Sequence, residues 1–262
     1  WLKSGWPKSQ TSPQEGDVQQ LPWTASVELL DRAADMLKTY WPAVFALGTV
    51  FMMLFIDAER GSQFPPGLDL SGQQALRVLG SPWFLATALP MAVGLVWLDG
   101  FARRAALSKQ EHGSMVWWLV NAFWFHLGCD ILSGLVQVQP VLTELYAAMT
   151  PRHRLKPWTG ERMYLDCIYS MEALIEVPCA CWVFWLFYRR DPARHMVETL
   201  AAAVQFAGTV AYYIPVLGTG ESAACWLSYV DRSCGAVWIV FPAILIHRNL
   251  KAVRTSAAGK SD

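Results

Sequence analysis

The stretch Tyr164–Tyr188 restricts the fold of this chain more than any other, because it is apolar enough and long enough to cross a bilayer. Three carboxylates nevertheless lie in its first half, at Asp166, Glu172 and Glu176. Since Glu172 and Glu176 are four residues apart, both project from one face of a helix. A carboxylate in lipid costs several kcal/mol unless it faces a polar interior or a partner. This face therefore predicts either a polar clamp between helices or a functional site.

Composition places the chain among membrane proteins. Hydrophobic residues make up 54% of its 262 residues and charged residues 16%, and the mean hydropathy is +0.26, which is too apolar for an ordinary soluble domain. The net charge is zero and no long basic run is present, so nucleic acid is not an expected partner. The pair Cys179 and Cys181 lacks a second pair of ligands, and we expect neither a metal nor another cofactor.

Six apolar stretches predict an all-α, polytopic membrane bundle. In chain order they are Tyr40–Ile56, Pro82–Phe101, Met115–Val136, Tyr164–Tyr188, His195–Leu217 and Ala224–His247. We expect loops at Gly61–Gly80 and from Val136 to Arg162. The spacing of apolar residues in Thr24–Lys38 predicts an amphipathic helix at the membrane surface.

The chain has no internal repeat and divides into four segments. They are a polar tail with the surface helix (1–39), an extra N-terminal span with its loop (40–81), the main membrane domain (82–249) and a C-terminal tail (250–262). With six spans the two tails, around Lys8 and Lys251, lie on one side of the membrane. Most of the Lys and Arg residues fall on that same side, as the orientation rule for membrane proteins requires.

The third span carries a second pair of polar residues. His126 and Asp130 are four residues apart and share a helix face, so the carboxylate can orient and charge the imidazole. The third and fourth spans are consecutive and antiparallel, which puts Asp130 and Glu172 at similar depth. We therefore expect His126, Asp130, Glu172 and Glu176 to line one cavity.

Four segments resemble, in the same order, motifs of the emopamil-binding or EXPERA family, which includes sterol Δ8–Δ7 isomerases. They are FWFHLGCDILSGL (Phe123–Leu135), RMYLDCIYSMEALIEVP (Arg162–Pro178), VQFAGTVAYY (Val204–Tyr213) and GAVWIVFPAIL (Gly235–Leu245). The resemblance implies a bundle of about five helices around a lipid-accessible pocket, to which this chain adds its first span.

The resemblance also implies roles for individual residues. The isomerases move a sterol ring double bond by proton transfer through a carbocation-like intermediate, and the same pocket binds amphipathic amines. His126 and Asp130 would be the proton-handling pair, and Glu172 the partner of the cation or a second acid or base. The implied ligand-binding residues are Glu176, Tyr164, Asp166, Tyr212 and Trp238, the last as an aromatic face for the cation.

Departures from the family pattern leave the activity open. Ile175 replaces a Thr of the isomerases, Gly235 replaces an Asn, Thr209 replaces an acid of some members, and Asp130 replaces a Glu. Three interpretations follow: a sterol isomerase, a non-catalytic subunit of a larger membrane complex, or a sterol or lipid binder without turnover. The extra span and the charged pair Asp231-Arg232 favour the subunit.

The expected partners are a sterol or other lipid ligand, membrane lipids and, for the subunit, other membrane proteins. The resemblance implies the endoplasmic reticulum. The mitochondrial inner membrane is the alternative, because a start at Trp1 rather than Met fits a removed organellar presequence. An arbitrary boundary would look the same.

Overall fold

The computed structural model describes residues 23–54, 72–149, 151–160, 162–218 and 234–258, and these residues form helices and no strand. We number the helices of this part α1 (Trp23–Leu54), α2 (Gly72–Leu79), α3 (Pro82–Arg104), α4 (Lys109–Leu135), α5 (Pro140–Met149), α6 (Arg162–Tyr188), α7 (Arg194–Gly218) and α8 (Val237–Ala258). A 3₁₀ turn at Pro151–Arg154 follows α5. The predicted all-α class is confirmed.

Three helices of the described part are long and apolar enough to cross a membrane, namely α3, α4 and α6. They coincide with the second, third and fourth predicted spans. Helices α1, α7 and α8 cover the described parts of the other three, and the count of six spans stays a prediction. The pair Asp231-Arg232 lies outside the described residues.

Two segments that the sequence led us to expect as loops contain helices. Helix α2 lies inside the first, and α5 lies inside the second, between Val136 and Arg162. Both predictions of continuous loops are wrong. In α5, Val141, Leu142 and Leu145 recur at helical spacing and are buried, so a short apolar stripe is enough to fold this segment against α4.

Helix α1 also differs from expectation, because it runs unbroken where we predicted a surface helix followed by a separate span. No Gly or Pro lies between Trp23 and Trp41 to end the helix. The chain divides into two compact units, Trp1–Leu37 and Lys38–Asp262. Within the second unit, the α1 residues Tyr40, Trp41 and Phe45 pack against the hydrophobic core.

Helix α4 is the centre of the second unit. In its most apolar stretch 72% of the residues are buried, against 22% for α3 and 28% for α6. Trp117 and Trp124 of α4 are fully buried, whereas Val96 of α3 and Leu174 and Trp182 of α6 are exposed. Apolar exposure of this kind on α3 and α6 is what lipid-facing helices show.

A buried ion pair lies at the start of α6, and its Arg also bonds to the end of α4. Arg162 donates from Nε to Asp166 Oδ1 at 2.7 Å, and both residues are fully buried. The guanidinium also donates to the carbonyl of His153 at 2.8 Å and to the carbonyl of Gly134. The backbone N–H of Trp158 donates to Asp166 Oδ2 at 2.5 Å. These bonds occupy both carboxylate oxygens of Asp166, which gives it a structural position.

We predict that Arg162→Ala lowers the free energy of unfolding by about 3–5 kcal/mol, because Asp166 would remain buried without its counter-charge. The matched control is Arg103→Ala, which breaks the pair with Asp99, where the Arg103 side chain is 76% exposed. That change should cost less than about 1 kcal/mol. Thermal unfolding in mild detergent measures both variants, and equal losses of stability would contradict the assignment.

Candidate functional site

Two helices change to π-helical geometry where their polar residues lie. Helix α4 is π-helical over Asn121–Leu135 and α6 over Glu172–Glu176, and the two segments are in contact. A π-turn closes over five residues instead of four and is frequent at functional sites. Here the two π-segments bring the carboxylates of α6 to His126 and Asp130 of α4.

The imidazole of His126 lies between two carboxylates. Its Nε2 is 3.1 Å from Glu176 Oε2, and its Nδ1 is 3.3 Å from Asp130 Oδ2. His126 and Glu176 are buried. The Nδ1 contact lacks hydrogen-bond alignment, and the other oxygen of Asp130 accepts a hydrogen bond from the Tyr146 hydroxyl at 2.7 Å. The ring therefore contacts Glu176 through Nε2, while Nδ1 lies close to a carboxylate with which it can exchange a proton.

Glu172 lies beside this pair. His126, Asp130 and Glu172 each have a nitrogen or carboxylate oxygen that could bind a metal ion, and these three atoms lie within 4.8 Å of one another. Within the described part of the chain, Oε2 of Glu172 has no hydrogen-bond partner. Three donors this close could hold a metal ion, and they could equally pass protons among themselves.

A second set of polar contacts links the imidazole of His126 and the indole of Trp238 through Asn121. The amide nitrogen of Gln205 donates to Asn121 Oδ1 at 3.0 Å and lies 3.3 Å from His126 Nε2. The same Asn121 oxygen accepts from the indole N–H of Trp238 at 3.2 Å. Asn121 is itself anchored by a 2.9 Å bond to the carbonyl of Trp117. Displacement of Asn121 would thus disturb both His126 and Trp238.

A cavity of about 150 Å³ in the second unit is lined by His126, Asp130, Glu172, Glu176 and Trp238, among others. Three carboxylates and one imidazole contribute to its wall, and neither Lys nor Arg is among the described residues that form it. The remaining wall is mostly aromatic and aliphatic. A negative, apolar-walled cavity of this kind favours a cation, either in a ligand or in a reaction intermediate. The lining residues are Phe45, Thr49, Phe125, His126, Cys129, Asp130, Leu142, Leu145, Tyr146, Tyr169, Glu172, Glu176, Thr209, Tyr212, Tyr213, Cys234, Gly235 and Trp238.

The structure brings six of the eight candidate site residues together. His126, Asp130, Glu172, Glu176, Tyr212 and Trp238 all line the cavity. The other two do not: the Tyr164 hydroxyl donates to the carbonyl of Ala211, and Asp166 pairs with Arg162. Both of these residues connect parts of the bundle. The catalytic and ligand-binding roles stay predictions.

Tyr146, Asn121 and Tyr213 are among the site residues that the sequence did not predict. Tyr146 belongs to the segment that we expected to be a loop. The apolar stripe that precedes it in α5 is the sequence feature that could have indicated a buried helix there. Asn121 lies five residues before His126, where the π-helical geometry brings both to the site. Tyr213 directly follows Tyr212, and the sequence gives no reason to expect that both residues line the cavity.

The departures from the family pattern fall at different places. Ile175 is exposed on α6 and does not line the cavity, so a hydroxyl missing there leaves the wall unchanged. Asp130 reaches His126 despite its shorter side chain. Thr209 and Gly235 lie in the wall itself. Only these last two alter the chemistry of the cavity surface.

Comparison with known proteins identifies part of the chain. Residues 142–249 match the family model described as EXPERA, the expanded EBP superfamily. The match is confined to this segment of the chain. The resemblance seen in the sequence is thereby confirmed for this segment, and the match together with the apolar helices supports an EBP-like membrane protein. The EXPERA match contains Glu172, Glu176 and Trp238 but begins after His126 and Asp130. No curated protein matches the chain significantly.

We predict that the cavity binds a radiolabelled amphipathic amine and that Gly208→Ala weakens this binding about tenfold or more. A Cβ at Gly208 would lie 2.8 Å from Glu176 Oε1 and would push this carboxylate from His126. Gly113→Ala is the matched control, because no atom lies within 4 Å of the added Cβ. Equal affinities of the two variants would contradict the role given to Glu176.

Proposed function

We propose that this chain is an EBP-like isomerase that moves a ring double bond in a sterol or a related lipid. The observation that supports it best is the buried imidazole of His126 between Asp130 and Glu176, with the carboxylate of Glu172 beside it. A double-bond shift of this kind is redox-neutral, so it needs only groups that give and take protons. The endoplasmic reticulum is the compartment that goes with this proposal, and the mitochondrial inner membrane is the alternative.

In the proposed reaction, one proton is added to an alkene carbon and another is removed from a carbon next to the cation. Protonated His126 donates from Nδ1, which forms the new C–H bond and leaves a carbocation. The free Oε2 of Glu172 then accepts the proton from the adjacent carbon, and the electrons of that C–H bond form the new double bond. The donor atoms of Glu172, Asp130 and His126 lie within 4.8 Å of one another, so the proton can return to His126.

The carbocation would be stabilised by charge and by an aromatic face. The carboxylates of Asp130 and Glu176 supply negative charge, and Trp238 supplies a face whose direction is fixed by its bond to Asn121. Because these groups are already oriented before the reaction, they need not reorganise as the charge develops. A protonated amine resembles the cation, so we expect amphipathic amines to compete with the lipid for this cavity.

A binder without turnover is the second candidate, and the same negative cavity supports it. Binding of a cationic ligand requires the carboxylates and Trp238 but no proton transfer. The two candidates differ in their response to Glu172→Gln, which removes a proton acceptor but keeps the shape of the side chain.

We predict that Glu172→Gln lowers isomerase turnover about 10²–10³-fold while the protein stays folded. The assay supplies a Δ8-sterol in lipid nanodiscs with the purified protein and scores the Δ7 product. Retained turnover in this variant would exclude Glu172 from the reaction. A lack of turnover in the unaltered protein, under conditions where a known isomerase works, would contradict the isomerase proposal. The binder without turnover would then be the remaining candidate.

Two controls sharpen this assay. Ile175→Thr restores a side chain of the isomerases at an exposed position outside the cavity, and turnover should not change. Dialysis against a chelator should also leave turnover unchanged, since the proposed steps use protons alone. A loss of activity on chelation that Zn²⁺ or Mn²⁺ restores would replace the proton mechanism with a metal-dependent one.

A further inference from the structure

Two residues of the cavity wall, Tyr213 and Gly235, share one volume. Gly235 is buried just before α8, and the side chain of Tyr213 crosses from α7 to reach it. A Cβ added at Gly235 would overlap the hydroxyl oxygen and two ring carbons of Tyr213. The phenol therefore occupies the space that any side chain at position 235 would need. Tyr213 can adopt this position only because residue 235 is glycine.

The shared volume belongs to the cavity. Tyr213 and Gly235 are both lining residues, and so is Thr209, which lies four residues before Tyr213 on the same face of α7. The neighbouring wall is aromatic: the ring of Trp238 lies 4.7 Å from that of Phe125 and 5.7 Å from that of Phe45, between centroids. Well-packed aromatic side chains do not yield easily to a larger ligand. The phenol of Tyr213 thus sets how far a ligand extends at this end.

We propose that Tyr213 and Gly235 are the specificity-determining pair of this cavity. The pair shortens the cavity beside Trp238, so that a ligand whose cationic or reacting end carries a bulky substituent is excluded. The ligand class is a lipid-like molecule with a compact cation or ring at that end. This inference rests on the proposed cation-binding function of the cavity. It adds a rule for which cationic, lipid-like ligands fit into the cavity.

The first test measures whether the two residues are matched, without any ligand. Gly235→Ala should lower the midpoint of thermal unfolding by several degrees, because the added methyl group overlaps the phenol. In a Tyr213→Ala background the same change should have little effect, since the space is then empty. Equal effects of Gly235→Ala in both backgrounds would overturn the matched pair.

The second test measures specificity with a series of amphipathic tertiary amines that differ only in one N-substituent, from methyl to propyl. The unaltered protein should prefer methyl. Tyr213→Ala should reverse this preference, with a gain of roughly tenfold for propyl over methyl, because each buried methylene contributes roughly fourfold to affinity. Tyr213→Phe is the control that keeps the ring and should keep the preference for methyl.

The outcomes separate this inference from the function on which it rests. If the amines bind the unaltered protein but Tyr213→Ala leaves the size preference unchanged, the specificity role of the pair is wrong and the cation site stands. If no amine binds the unaltered protein, the cation-binding function fails, and the specificity role fails with it. A changed preference in Tyr213→Phe would show that the hydroxyl, not the ring volume, selects the ligand, and would overturn the size argument.

Discussion

The charge cluster around His126 is the interaction on which the rest of this bundle depends. An imidazole and three carboxylates lie among helices apolar enough for a membrane, where each unpaired charge is costly. Several features of the fold follow from keeping these groups together. The π-helical segments direct them to one point, Gly208 leaves room for Glu176, and Tyr146 and Gln205 supply further polar contacts.

Helix α4 carries three polar centres along its length, and only the middle one opens to the cavity. Near its start, Trp118 donates to Glu198, whose other oxygen accepts from Arg248 and Asn249. Near its end, the carbonyl of Gly134 accepts from Arg162. The two outer centres are satisfied by hydrogen bonds and join helices to one another. The middle centre keeps a carboxylate oxygen without a partner among the described residues, as a reactive site requires.

The sequence predicted the middle of the site well because four-residue spacing survives the change from α- to π-helical geometry. His126, Asp130, Glu172 and Glu176 could therefore be placed together from spacing and depth alone. Tyr146 was missed although α5 carries an apolar stripe, because this helix has only 10 residues, too few for a membrane span, and lies in a stretch that we predicted to be a loop. The pair of Tyr213 and Gly235 was beyond reach for another reason: it depends on how closely α7 approaches the start of α8, which no local pattern encodes.

Isomerisation in D₂O shows whether the proton held by His126 is the one added to the lipid. A Δ8-sterol in nanodiscs is incubated with an excess of protein equilibrated in D₂O, so that each site turns over at most once, and the Δ7 product is analysed by mass spectrometry. We expect the unaltered protein to form a product that carries one deuterium from the solvent. We expect His126→Ala not to form this labelled product. A Δ7 product without deuterium, or labelling that is unchanged in His126→Ala, would contradict the role proposed for His126.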